Sequence, residues 1–487
     1  MLFNSIEFLI FFPIVVLVFL IIPKKLRTVW LLIASYYFYM SWNPKYAVLI
    51  GMSTIITYLS GIFIDKFNSY KKKKIVVALS LLSNLGILAV FKYANFALDT
   101  INDICSKLWN INLIERRLDL LLPVGISFYT FQALSYTIDV YRNNIKAEKN
   151  ILNYALFVSF FPQLVAGPIE RSGNLLKQIQ NIKGLRLWDN LRIKDGLMLM
   201  FWGLFQKLVI ADRASILVNQ VYGNYLNYGC IELSIASVLF AFQIYCDFGG
   251  YTNIARGAAK VMGFSLMENF KQPYLATNIK DFWRRWHISL TSWFTDYLYI
   301  PLGGNRKGDL RKYLNVLIVF GVSGLWHGAS RHFVVWGLIH AVFQIIGDIK
   351  ERVEKRLYKS GNSDSLSKRL RKGFFTFVLV DFAWVFFAAD SIHHALGILR
   401  QMFSAIITTS LYEIGLDRAN WQILKGAIVI LFVMDILHEK GISVLKLINS
   451  QEIWLRMLIY LSLIWSIIMF GIYGVGYDTS RFIYFQF

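Results

Sequence analysis

Two histidines are, by residue type and setting, the side chains best suited to move a proton. His287 ends Asp281-Phe282-Trp283-Arg284-Arg285-Trp286-His287, and His327 lies in Gly324-Leu325-Trp326-His327-Gly328-Ala329. An imidazole titrates near neutrality, and burial keeps it neutral and basic. The run around His327 is apolar enough to enter a membrane, and an ionisable group at that depth is expensive enough to need a reason. The segment before His287 is too basic to cross, so the sequence predicts His287 near a cytoplasmic face and His327 deep. The competing readings are a core histidine satisfied by a carbonyl at 327 and an interfacial aromatic and basic belt at 287. Arg284 and Arg285 suit an anionic donor, since guanidinium binds phosphate well. Asp247, beside Gly249 and Gly250, is a third intramembrane candidate, with Arg256 its expected ion-pair partner and structural pairing the alternative to chemistry. The other histidines, His332, His340, His393, His394 and His438, have no ligand-like partners and are expected to be structural or exposed.

The sequence contains no Gly-rich phosphate loop, HExxH or GxSxG, so ATP-driven, metalloprotease and soluble-esterase mechanisms lack motif support. Cys105, Cys230 and Cys246 are far apart and form no CxxC, which argues against a disulfide framework or zinc site and for core thiols. No metal ligand set and no bound cofactor are expected.

These residues must be positioned by membrane helices. The chain of 487 residues is 56% hydrophobic and 17% charged, with a mean hydropathy of +0.48, whereas soluble domains carry about 25% charge. The net charge of +21 resides in short loops between apolar runs, which encodes orientation in a bilayer rather than nucleic-acid binding. Spans are predicted near 7–22, 28–42, 47–65 and 75–92, with Lys24, Lys25, Arg27 and Lys71 to Lys74 marking cytoplasmic ends. The first is expected to be a retained helix rather than a removed signal. A polar segment, 93–118, follows. Segments 118–141 and 151–171, with Pro123, Pro162 and Pro168, are expected to be broken or re-entrant and to line an interior.

Further spans are predicted near 197–218, 232–247, 333–347, 374–389, 423–437 and 455–473, and an interfacial helix over 278–300. His327 lies 15 residues beyond Lys312, or about 22 Å along a helix. The stretch from Asp348 to Lys372, with nine Lys/Arg and four Asp/Glu, is expected to be a flexible cytoplasmic linker. The organisation predicted is a single polytopic all-α domain over 1–487: N-terminal helices (1–117), a catalytic core (118–347), the linker (348–372), and C-terminal helices and tail (373–487). It would hold about 11 to 13 membrane segments by hydropathy and end outside.

The chain resembles the membrane-bound O-acyltransferase (MBOAT) family, in the branch of the alginate and peptidoglycan O-acetyltransferase membrane subunits. The resemblance is carried by Leu122 to Phe128, Gln163 to Ile169, Tyr245 to Tyr251, Asp281 to Leu290, Asp296 to Arg306 and Leu325 to Gly328. It implies a ring of helices around a thin centre, with an extracellular funnel and a cytoplasmic tunnel meeting at the histidine matching His327. His287 matches the family's second, cytoplasmic-side histidine. Trp326, Asp247, Arg284, Arg285, Trp286 and Asn305 become the substrate-binding candidates. The ending Phe482-Ile483-Tyr484-Phe485-Gln486-Phe487 resembles a terminal motif whose tyrosine carries the acyl group; an interfacial aromatic anchor is the other reading. A phenol of pKa near 10 is a better leaving group than a sugar hydroxyl, which suits a relay.

The expected function is an inner-membrane O-acetyltransferase of a bacterium. It would take acetyl from a cytoplasmic thioester such as acetyl-CoA for O-acetylation of a cell-surface or secreted polysaccharide. His327 would be the general base, and an extracytoplasmic SGNH-type transferase would complete delivery. D-alanylation of teichoic acids, or transport of an acyl donor without covalent transfer, are the alternatives.

Overall fold

A computed structural model describes residues 1–109, 118, 123–165, 167–357, 365–404, 410–474 and 482–483. Every regular element among them is helical, as an all-α membrane protein requires, because helices satisfy their own backbone groups in lipid. Among the described residues, six helices are long and apolar enough to cross a membrane: Tyr46–Lys66, Tyr70–Trp109, Cys230–Met262, Arg331–Arg356, Arg418–Glu439 and Ile453–Phe470. The shorter Ile6–Ile21 is also apolar. Several other expected spans appear as shorter or broken helices, among them Arg27–Met40, Ile126–Tyr141 and Ile151–Ser159.

Three sequence expectations change. The span expected to end near 92 continues through a π-helical turn, Ala89–Tyr93, into Ala94–Trp109, since nothing in 93–109 breaks a helix. The supposed linker from Asp348 is helical to Leu357 and again from Leu366, where Ser365 caps the next helix; its centre, 358–364, lies outside the described residues. Asp348 accepts from Lys312 at 2.6 Å and from the Tyr313 hydroxyl at 3.1 Å, and also pairs with Arg352, which reaches Asp309 as well. These i,i+4 and cross-helix pairs keep a charged sequence helical. Finally, Cys230 is exposed, while Cys105 and Cys246 are buried.

Backbone contacts group the chain into two compact units. The first comprises 1–197 and 255–267, the second 198–254 and 268–487. In the first, Pro162 follows a break at Phe160, ending Ile151–Ser159 and starting the short helix Phe161–Leu164. This is the interrupted backbone expected there. Gly125, at φ +74, caps Ile126–Tyr141, and a Cβ at that position would strike the Leu164 carbonyl. Two of the motif segments therefore meet where only glycine fits. The described residues of these segments exclude Leu122 and Ala166.

The second unit holds both histidines. Its centre is aromatic: Trp286, Trp336 and Trp384 are each at most 2% exposed. Trp336 stacks on Trp384 at 5.7 Å and 18°, and Trp286 packs on Trp384 at 5.0 Å. Burial of this kind supplies most of the packing that a lipid-facing helix cannot obtain from its outer face. The helices Asp309–His327 and Arg331–Leu357 form a tight hairpin. A Cβ on Gly324 would overlap the Phe333 carbonyl, and one on Gly337 the Phe320 carbonyl. Small residues at both crossing points let the backbones touch, which seats His327 at the hairpin's end.

Candidate active site

His327 is the last residue of Asp309–His327, so the helix is continuous from Lys312 to His327. The side chain is 4% exposed. Its ring packs edge-on against Trp336 at 5.1 Å, Phe387 at 5.5 Å and Trp326 at 5.0 Å.

His287 is buried within the protein. It is 1% exposed, and its ring centroid lies 6.3 Å from that of His327 at an interplanar angle of 64°. Trp326 sits beside both, 5.9 Å from His287, and Phe248 packs on His287 at 4.7 Å. The polarity boundary in the sequence therefore does not separate the histidines in space. The reason is local. The expected helix over 278–300 is broken into Ile279–Arg285 and Ile288–Phe294, with His287 between them in the left-handed region at φ 44, ψ 52. A non-glycine residue rarely adopts this conformation, and it persists only where neighbours over-determine it. Here Asn269, fully buried, accepts Ile288 N–H on its carbonyl at 3.0 Å and Ser289 N–H on Oδ1 at 3.2 Å. The Thr291 hydroxyl donates to the Trp286 carbonyl at 3.2 Å. The kink turns the imidazole inward while Arg284 stays exposed. His287 lies outside the six apolar spans, and burial pushes its imidazole down to about 3, so it is neutral at physiological pH.

The same unit holds a cavity of about 970 Å³ whose lining includes neither histidine. Its wall includes Lys280, Arg284, Lys312, Lys350, Lys372 and Asn305, with Asp281, Asp348, Glu351 and Glu354 interspersed. Toward the interior it is lined by Trp283, Phe320 and Ser323. Ser323 is one turn before His327 on the same helix, and Trp283 packs against Trp336, which itself touches His327. The cavity thus reaches to within one layer of side chains of the histidines. Asn315, fully buried, donates to the Gly304 carbonyl at 2.9 Å and holds the turn bearing Asn305 against Asp309–His327.

The remaining candidates divide. Arg284 and Asn305 line the cavity, but Arg285 does not. Its guanidinium bonds Asp281 at 3.0 Å and Glu439 at 2.6 and 3.2 Å, which ties Ile279–Arg285 to Arg418–Glu439. Trp286 is core, packed on Phe282 and Phe270. Asp247 pairs with Lys207 at 2.5 Å. Tyr484 lies outside the described residues. Sequence reasoning missed Phe248, Trp336 and Lys207. Lys207 carried a readable signal, being a lone lysine in the apolar run 197–218. His340 is buried among the same rings, accepting from Trp283 Nε1 at 3.4 Å, which agrees with a structural role.

The pattern of the MBOAT, membrane-bound O-acyltransferase family, matches residues 144–353, which include both histidines. The probable alginate O-acetylase of Pseudomonas putida is 36% identical over 406 residues, covering 83% of this chain and 80% of that protein. The chain belongs to this family. The peptidoglycan O-acetyltransferase of Helicobacter pylori is 34% identical over 397 residues, 77% of this chain and 73% of its own length. The teichoic acid D-alanyltransferase of Bacillus subtilis is 28% identical over 292 residues, 56% of this chain and 70% of its own. This MBOAT protein is accordingly a multi-pass membrane acyltransferase, and in a bacterium its place is the inner membrane.

Proposed function

We propose that this chain transfers acetyl from a cytoplasmic thioester, acetyl-CoA, outward for O-acetylation of a cell-surface or secreted polysaccharide. The observation that carries the reading is the pairing of His287 and His327, with a cavity lined by both basic and acidic side chains that reaches Ser323, one helical turn from His327. Lys280, Arg284 and Lys350 suit the phosphates of a nucleotide thioester, since charge-assisted contacts to phosphate are the strong ones. The apolar end lined by Trp283 and Phe320 suits its pantetheine arm.

In the transfer, His327 accepts the proton of the attacking hydroxyl as the new oxygen–acyl bond forms. The carbon–sulfur bond of the thioester breaks, and the thiolate departs and takes up a proton. His287, neutral and fixed by its kink, orients the reacting groups. The hydroxyl is that of Tyr484, whose phenyl ester passes the acetyl to an extracytoplasmic SGNH-type transferase acting on the polymer. Support for acetyl over D-alanyl comes from the relatives named as O-acetylases and O-acetyltransferases, which match more of the chain at higher identity.

The deciding experiment compares wild type with His327→Ala at equal protein level, reading polymer acetylation by mass spectrometry. Loss of acetyl from the polymer, and of an acetyl adduct on the Tyr484 peptide, is expected. Acetylation persisting in His327→Ala would refute the base assignment. Flux of donor without any adduct would favour a transporter.

A further inference from the structure

We propose that Asp247 and Lys207 are positioning residues that dock the C-terminal tail, through Phe482 and Ile483, against the His287 side of the site. Asp247 was expected to bind substrate, but both its carboxylate oxygens serve the protein. Oδ1 takes Lys207 Nζ at 2.5 Å, and Oδ2 accepts the backbone N–H of Ile483 at 2.8 Å. Lys207 also bonds Asp212 at 2.9 Å, and the Lys207 and Asp247 side chains are 1% and 3% exposed. Phe482 stacks on Tyr251 at 4.5 Å and 27°, with Lys207 Nζ 5.8 Å from its ring centroid. Phe248, adjacent to Asp247, reaches Phe482 at 6.5 Å on one side and His287 at 4.7 Å on the other.

The same part of the fold guides the chain from the last apolar helix. The Phe470 carbonyl accepts from Arg213 at 2.7 Å, and Ile472 N–H donates to the Leu208 carbonyl at 3.1 Å. Lys207 and Leu208 belong to a π-helical stretch, Phe205–Ala211, flanked by Arg213, a geometry that recurs at functional sites.

A buried ion pair is costly and is weak evidence for stability. A buried carboxylate that spends one oxygen on a lysine and the other on a main-chain amide instead sets the register of a segment lacking its own ladder. The tail bearing Tyr484 is held two residues upstream and one residue upstream of that phenol. The consequence for acyl transfer rests on the function proposed above, whereas the docking does not.

Hydrogen–deuterium exchange of the full-length protein in detergent reads the docking directly. The C-terminal peptide of the wild type should exchange about tenfold more slowly than that of Asp247→Ala or Lys207→Met. Acetyl transfer from labelled acetyl-CoA, measured in membranes, reads the consequence. Ile483→Pro removes the donated N–H, along with the side chain that Ile483→Ala also removes, and leaves Asp247 and Lys207 intact; it should lose about a hundredfold in turnover, against a smaller loss for Ile483→Ala. Equal exchange in wild type and Asp247→Ala would overturn the docking. So would an Ile483→Pro chain no slower than Ile483→Ala, and a variant faster than wild type would make the tail a plug. If exchange responds as expected while His327→Ala still acetylates, the docking stands and the acyltransfer reading falls.

Discussion

The base role proposed for His327 is supported by what surrounds it. Three aromatic rings hold the imidazole edge-on, and such packing excludes water and fixes orientation. Replacing it by alanine should lower the transfer rate about 10²- to 10⁴-fold, the usual contribution of a positioned general base, with an immunoblot confirming unchanged protein level. His287 allows a different test. Its folded pKa, about 3, lies below the unfolded value near 6.5. Between those pH values the unfolded chain binds the extra proton, so stability falls as pH falls through that window. Lowering pH from 6.5 to 5 should cost wild type roughly 2 kcal/mol that His287→Gln does not lose. Thermal unfolding in detergent at both pH values measures the difference, and identical pH dependence in the two proteins would count against a neutral buried His287.

Among the elements, the hairpin of Asp309–His327 and Arg331–Leu357 is the most sensitive, because backbones approach at Gly324 and Gly337. Gly324→Ala should destabilise by about 1–3 kcal/mol through overpacking against the Phe333 carbonyl. Its thermal transition should fall while expression persists. The kink at His287 depends on Asn269. Asn269→Ala should reduce turnover without altering donor KM, since it frees the histidine rather than the cavity. Hydropathy could show that 278–300 is amphipathic, and it reads as one interfacial helix by that measure. It could not show the break, because no proline or glycine marks residues 286 and 287; only packing of Trp286 and the distant Asn269 imposes it. The extension of Tyr70–Trp109 was likewise hidden, since polarity in a segment says nothing about whether its backbone remains helical.

Across the second unit, the Lys280 and Arg284 side chains lining the cavity and the histidine pair should separate kinetically. Reversing charge with Arg284→Glu or Lys280→Glu should raise the KM for acetyl-CoA about tenfold with little change in kcat, as loss of uniform binding does. Raising salt should weaken the wild type toward the variants, and an unchanged KM would remove the cavity from donor binding. The class of the protein, its membrane character and the unbroken helix from Lys312 to His327 were legible in residue type and spacing, because apolar run length and helical periodicity are local quantities. The pairing of His287 with His327, the partner of Asp247 and the commitment of Arg285 to Glu439 were not. Each joins residues 40 to 154 positions apart, and one chain's periodicity carries no information about which distant faces meet. Those contacts are chosen by aromatic packing around Trp336 and Trp384 and by the need to neutralise charge taken out of water.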